Sequence, residues 1–326
     1  MPLKDYGVLK GRAVDCRFGT GQNPHYQVRV VDERTDYRIA VNVASQLAPS
    51  ELEYLIDSDF HHAVLDQLRE LPAGWRSLPS KPGGVALDFI RTNLFDPQRM
   101  RKLPFNVPGP DNDLNEKIDD FIRRAMADEE ANLYAFGERW GPENTKDKIF
   151  GFLPGNGVHD IHMNQGNVGR FVDDDGVYQD GALLVEFPSE NQWVGLFLKF
   201  QSQTWHTDDQ TGHRIVPEET PDGLVRIVAA LVNAIESPEK EYVTLLNMTS
   251  VAIDLAGWKM VDRDKNKMTL SGALGAGESV RIPLVPPVVL PNKGGIITLL
   301  DDEGLRVDGV TYTKAQASKP GWTIKF

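Results

Sequence analysis

The sequence predicts two modules, an α+β N-terminal domain built on a mainly antiparallel sheet and an all-β C-terminal sandwich. Three observations carry that expectation. Apolar segments of strand length recur along the 326 residues, and 29 Gly with 21 Pro supply the turns between them. Amphipathic helical stripes interrupt the strands of the first half. A stretch that loses periodicity and gathers proline and acid, D-Q-T-G-H-R-I-V-P-E-E-T-P-D-G, then divides a chain too long for one core, giving a first domain over 1–216, a linker over 217–222 and a second domain over 223–326.

Taken in order, Tyr6 to Val14, Tyr26 to Val31 and Tyr37 to Val43 read as strands, the last alternating as Y-R-I-A-V-N-V. Asp59 is placed to cap a helix through F-H-H-A-V-L-D-Q-L-R-E-L, whose Val64, Leu65, Leu68 and Leu71 share a face, and V-A-L-D-F-I-R-T-N-L-F reads as a second helix. His61 and His62 are adjacent and point apart on such a helix, which suits surface or packing roles. A proline-punctuated connection leads into a third helix near Asp113, with Leu114, Ile118, Phe121, Ile122, Ala125 and Met126 as its apolar stripe. Strands follow at Leu133 to Phe136, Ile149 to Leu153, Leu183 to Phe187 and Trp193 to Phe200, completing the α+β domain. From Val225 onward, short apolar segments separated by turns have the spacing of a β-sandwich, although periodicity alone leaves Leu224 to Ile235 open between strand and helix.

The formal charge of −12 argues against nucleic-acid binding through bulk electrostatics. The excess is uneven, because residues 1–222 carry 23 basic and 36 acidic side chains and the remainder 12 and 11. An acidic face is ordinarily a solvated one, and cation recruitment is the sharper reading. A single cysteine, Cys16, excludes intramolecular disulfides and multi-thiolate zinc sites. The first residues lack the apolar core of a secretory signal, and no run reaches the roughly 20 apolar residues of a membrane span, so the expected location is cytoplasmic, or outside by a signal-peptide-independent route.

Chemistry concentrates between Gly155 and His213, where G-V-H-D-I-H-M-N-Q-G and W-H-T-D-D-Q-T-G-H hold four of the seven histidines. Imidazole with carboxylate suits a divalent metal such as Zn, Mn or Mg, and His159, Asp160, His206 and Asp208 are the expected ligands. His162 is then the acid/base, and Asn164 with Gln165 orients the scissile group or donates to developing negative charge. The bland reading makes these side chains polar loop residues that hydrogen-bond backbone. A different mechanism starts at P-H-Y-Q-V-R-V-V-D, where His25, Gln27 and Asp32 have the spacing of a phospholipase D-like H-x-K-x-x-x-x-D half-motif with His25 as nucleophile; the phosphate-neutralising lysine is missing. D-D-D-G at Asp173 to Gly176 lacks the spaced ligands of a calcium loop, and Trp140 reads as a packed corner. No phosphate-binding glycine loop, dinucleotide fingerprint or serine elbow is present.

Two resemblances cover most of the chain. M-P-L-K-D-Y-G-V-L-K-G-R, P-H-Y-Q, V-P-G-P-D-N-D-L-N, Y-A-F-G-E-R-W-G-P, G-F-L-P-G-N-G-V-H-D-I-H-M-N-Q-G-N and F-Q-S-Q-T-W-H-T-D-D resemble the YukJ-like family of uncharacterised bacterial proteins, which implies no assigned activity. E-Y-V-T-L-L-N from Glu241, D-L-A-G-W from Asp254, G-A-G-E-S-V from Gly275 and L-P-N-K-G-G followed by I-T-L-L-D-D-E-G resemble the lamin-tail domain. That resemblance implies an immunoglobulin-like sandwich in which Leu224 to Ile235 opens as a strand, Trp258 anchors the core and Asn247 and Asn292 serve turns. It also implies an accessory role, since such modules accompany bacterial hydrolases and nucleases. The expected function is therefore a metal-assisted phosphodiesterase or nuclease acting on nucleic acid or another phosphodiester. The alternatives are a non-catalytic adaptor whose sandwich contacts a protein partner, and the histidine-nucleophile phosphodiesterase.

Overall fold

The computed structural model describes residues 5–18, 25–43, 52–78, 84–87, 93–96, 99–103, 113–163, 181–200 and 224–326. Two compact units emerge from it. The first comprises Met1–His61, Arg69–Leu87 and Pro97–Trp205, and the second His62–Leu68, Asp88–Asp96 and His206–Phe326. The linker expected over 217–222 lies outside the described residues.

The α+β expectation for the first domain is overturned, because the chain is nearly all β, with 11% helix, 48% strand and a closed five-stranded barrel in its N-terminal region. The elements in order are β1 (Tyr6–Arg17), β2 (His25–Val31), β3 (Asp36–Asn42), β4 (Leu52–Asp57), α1 (Leu65–Arg69), β5 (Gly74–Ser77), β6 (Arg101–Leu103), α2 (Asp113–Ala127), β7 (Asn132–Glu143), β8 (Gly155–His159), β9 (Ala182–Phe187) and β10 (Gln192–Phe200). Backbone groups that the expected helices would use find other partners. The Phe60 N–H donates to Trp193 O, and the Val64 N–H to His62 Nδ1, leaving only five helical residues. Asp59 pairs with His61 and its own N–H is bound by Asp57, so it caps nothing. Leu87 donates to the Tyr6 hydroxyl, and residues 84–87 and 93–96 carry no regular structure. The strand expected at Ile149 to Leu153 is a turn, because Asp147 Oδ1 takes the N–H groups of Ile149 and Phe150.

Barrel closure follows from one long strand changing partners. Tyr6 to Gly11 of β1 pairs antiparallel with Glu138 to Leu133 of β7, whereas Arg12 to Arg17 pairs with β2, with a register shift between Ala13 and Asp15 that lets the strand bend. β2 pairs with β3, β3 runs parallel to β8, and β8 pairs with β7, so the circuit β1-β2-β3-β8-β7 returns to β1. A three-strand meander, a helix-bearing crossover and a closing hairpin is the connectivity of an OB-type barrel. Tyr26, Val28 and Val30 of β2 and Tyr37, Ile39 and Val41 of β3 fill the interior, leaving the intervening residues on the outer face. α2 carries Leu114, Ile118, Ile122 and Ala125 into this core and packs on β1, β2 and β9. Its Asp119 accepts the Tyr26 hydroxyl at 2.7 Å. β9, β10, β4 and β6 continue the sheet from β7, and β5 borders β1.

The second unit is built on β11 (Val225–Leu231), β12 (Tyr242–Asn247), β13 (Ile253–Asp254), β14 (Lys259–Asp262), β15 (Lys267–Thr269), β16 (Ala273–Leu274), β17 (Ser279–Pro283), β18 (Gly294–Leu300), β19 (Arg306–Thr313) and β20 (Thr323–Lys325). They form sheets of order β17-β12-β11-β20 and β15-β14-β18-β19, with β13 and β16 as a small pair. Val225, Ile227, Val243 and Leu245 from one sheet share a core with Met260, Ile297, Leu299 and Tyr312 from the other, and Trp258 packs among them. Asn247 is buried, and its Nδ2 donates to the carbonyls of Val251, Leu274 and Gly275, which ties the end of β12 to two other stretches of chain.

Candidate cation and histidine site

The register of β7, β8 and β3 assembles a polar face on the outside of the barrel. Glu138 opposes His159 and Trp140 opposes Gly157 across β7 and β8, while Arg38 opposes Gly157 across β3 and β8. Residues two apart on a strand share a face, so Glu138 and His159 form one row and Trp140, Gly157 and Arg38 the next. Gly157 is required here, since a Cβ would collide with the Trp140 ring and the Arg38 carbonyl. Without it, the Arg38 guanidinium reaches across to lie 4.6 Å from the Trp140 ring centre. Gly137 allows a comparable approach to the His159 carbonyl.

Beyond β8 the chain turns at Asp160, whose φ of 55° is left-handed, a conformation that aspartate tolerates better than most residues. The turn aims its carboxylate back, and His159 Nδ1 lies 3.0 Å from Asp160 Oδ2. The segment is then held by Met163 N–H to Leu198 O at 2.8 Å and by Gly181 N–H to His162 O at 2.9 Å. One ligand atom from each of Glu138, His159 and Asp160 falls within 4.8 Å of the others, so these three residues could together hold a metal ion.

The electrostatics match the geometry. The hydrogen bond that His159 Nδ1–H donates to the Asp160 carboxylate raises the imidazole, with the charges of Asp160 and Glu138 adding to it against burial. Burial works to raise the Asp160 carboxyl, but the His159 hydrogen bond and the neighbouring imidazoles of His162, His159 and His25 bring it below the usual range. Burial lowers His162, whose Nδ1 faces inward, so this ring is neutral near pH 7. Trp140 stacks at a tilt on His159 with centres 5.7 Å apart, which makes it a wall of the site as well as a packed corner. A cavity of about 300 Å³ adjoins His159, lined by Arg38, Ala40, Trp140, Glu143, Asp147 and Lys148.

Of the residues expected from sequence, His159 and Asp160 meet, and His25 and His162 lie close enough to act on them electrostatically. Asn164, Gln165, His206 and Asp208 lie outside the described residues, as do Asp173 to Gly176. Of the phospholipase D-like half-motif, His25 begins β2 and Asp32 follows its end, where it accepts the N–H groups of Arg34 and Thr35; of the second half expected at His162 and Asn164, only His162 is among the described residues. Sequence reasoning missed Glu138 and Arg38. The alternation G-E-R-W held the signal, but only the pairing with β8 gives it meaning.

Residues 1–212 match the model of a family described as "Uncharacterized conserved protein (DUF2278)". Over 213 residues the chain is 44% identical to "Uncharacterized protein YukJ" of Bacillus subtilis (strain 168), an alignment that spans 64% of this chain and 93% of that protein. No solved structure matches. The family match ends at residue 212, before β11, and does not reach the segment that resembles the lamin-tail domain. With the barrel and its histidine site lying inside the matched region, the chain belongs to the DUF2278, or YukJ-like, family.

Proposed function

We propose that this protein is a cation-dependent phosphodiesterase whose site is the outer face of the barrel at the end of β8. The observation that supports this reading is the meeting of Glu138, His159 and Asp160 within 4.8 Å, with His25 and His162 near. Glu138, His159 and Asp160 would hold a divalent ion, Zn, Mn or Mg, which would supply an acidified water and charge neutralisation at phosphorus. Glu138 and His159 are fixed by strand register, and Asp160 by its left-handed turn. His25 and His162 are the groups assigned to proton transfer, and Trp140 with Arg38 forms the wall that orients the substrate. The second unit, read as a lamin-tail-like sandwich, serves as an accessory that holds substrate or a protein partner.

The test uses the full chain. Elemental analysis of the purified protein is followed by turnover of bis-p-nitrophenyl phosphate and of plasmid, with and without chelator. Bound metal, with chelator-sensitive turnover that disappears in His159→Ala and Asp160→Asn, is the expected result. No metal and no turnover with any added divalent ion defeats the reading and leaves the non-catalytic adaptor.

A further inference from the structure

The outer face of β1, β2 and β3 carries a second pattern. Arg38 lies 4.6 Å from the Trp140 ring centre, Arg17 4.9 Å from that of Phe150, and Arg29 5.9 Å from that of Phe152. These guanidinium planes are held at their edges. Arg38 is bound by Asp147, Arg29 by Asp36, and Arg17 by Asp15 and by the Ile149 carbonyl. Register makes the set contiguous with the histidine site, since Arg29 opposes Arg38 and Arg17 opposes Gln27 across neighbouring strands, and His25 continues the same face of β2. The turn that carries Phe150 and the buried Phe152 connects β7 to β8 and is closed by Asp147 N–H to Phe152 O at 2.8 Å.

The geometry points to this face as a groove for single-stranded nucleic acid, whose unpaired bases stack on the arginine-backed Trp140 and Phe150 rings and whose backbone then reaches the cation site. Three features select that ligand. An OB-type barrel presents this strand surface, with the loop between its last two strands, to oligomeric ligands. Unpaired bases stack on aromatic rings and on guanidinium planes alike, whereas bases within a duplex offer no free face. Paired charge dominates the face, Arg17, Arg29, Arg38 and Lys148 against Asp15, Asp36, Asp147 and Glu143, so stacking rather than phosphate attraction carries affinity in a domain with a large acidic excess. Its link to catalysis rests on the phosphodiesterase reading, and the binding itself does not.

Fluorescence anisotropy of a labelled oligothymidine with the full chain, in chelator so that nothing is cleaved, tests the inference. Binding that falls only weakly with salt, competes with unlabelled single strand, and ignores duplex and maltohexaose is expected. Arg17→Ala and Phe150→Ala should each weaken it about tenfold with unchanged melting. Ultraviolet crosslinking of the unmodified chain guards against variants that unfold, and the crosslink should map within residues 140–152. No binding, equal competition by duplex, displacement by the oligosaccharide, or a crosslink elsewhere overturns the inference. Oligothymidine binding without turnover of bis-p-nitrophenyl phosphate supports the groove and defeats the catalytic reading. Turnover without binding does the reverse.

Discussion

Arg38 and Asp147 form the buried ion pair that fixes the loop over the barrel face, with side chains 14% and 1% exposed and Nε to Oδ2 at 2.6 Å. Removing one partner strands the other charge in a poorly solvated place, which costs about 3–5 kcal/mol. Arg38→Met should therefore lower the melting temperature of the N-terminal unit by about 6–20 °C, given roughly 2–4 °C per kcal/mol in a domain of this size. Asp147→Asn keeps an oxygen for the N–H groups of Ile149 and Phe150 and removes only the charge, so it should cost a similar amount. The double variant should cost about 1–3 kcal/mol less than the sum, because neither charge is then left alone. Calorimetry of the full chain reads each value. Burial works to raise the Asp147 carboxyl, but the Phe150 and Ile149 N–H groups and Arg38 together hold it below the ordinary range. Its contribution is thus present above the unfolded value near 3.9 and is lost as pH falls through the folded one, so wild type and Asp147→Asn should converge in acid. Single changes costing under about 1 kcal/mol, or strictly additive effects, would refute the reasoning.

Other perturbations test the site and the second unit. Asp160→Asn should lower the His159 pKa, followed by the imidazole proton shifts; because His159 is raised in the folded state, its stabilisation is complete below the unfolded value of about 6.5 and fades as pH rises through the folded one, so the variant should be costlier at acid than at alkaline pH. An unchanged titration would remove Asp160 as its partner. Burial pushes the Glu241 carboxyl up to about 7, against the Leu290 N–H that it accepts. Stability is therefore lost as pH rises from about 4.3 towards that value, and Glu241→Gln should melt higher than wild type in alkaline buffer and equally in acid. Asn247→Ala removes donors to three carbonyls and the acceptor for Thr249, and should cost about 3 kcal/mol by denaturant unfolding; a cost under about 1 kcal/mol would make this side chain incidental.

Local pattern made the strands of the barrel's first half readable. Y-R-I-A-V-N-V alternates because one face of β3 is interior, and the stripe from Leu114 to Met126 marks α2 for the same reason at helical period. Closure was not readable, since it depends on Tyr6 to Gly11 pairing with a strand that begins about 120 residues later, and no local signal encodes that register. The segment 59–71 shows propensity losing to tertiary bonds, as Phe60 and Val64 spend their N–H groups outside a helix. At the site, His159 and Asp160 stood out as neighbours in sequence. Glu138 did not, because a lone glutamate in G-E-R-W becomes a candidate ligand only once β7 lies against β8.

Paramagnetic broadening of histidine resonances by a trace of Mn²⁺ reaches the main issue most directly. If Glu138, His159 and Asp160 bind the ion, the ring signals of His159, His25 and His162 should broaden first, those of exposed His61 beside Asp59 should stay sharp, and Asp160→Asn should abolish the difference. Equal broadening of His61 and His159, or none at either, would contradict a built cation site on the barrel.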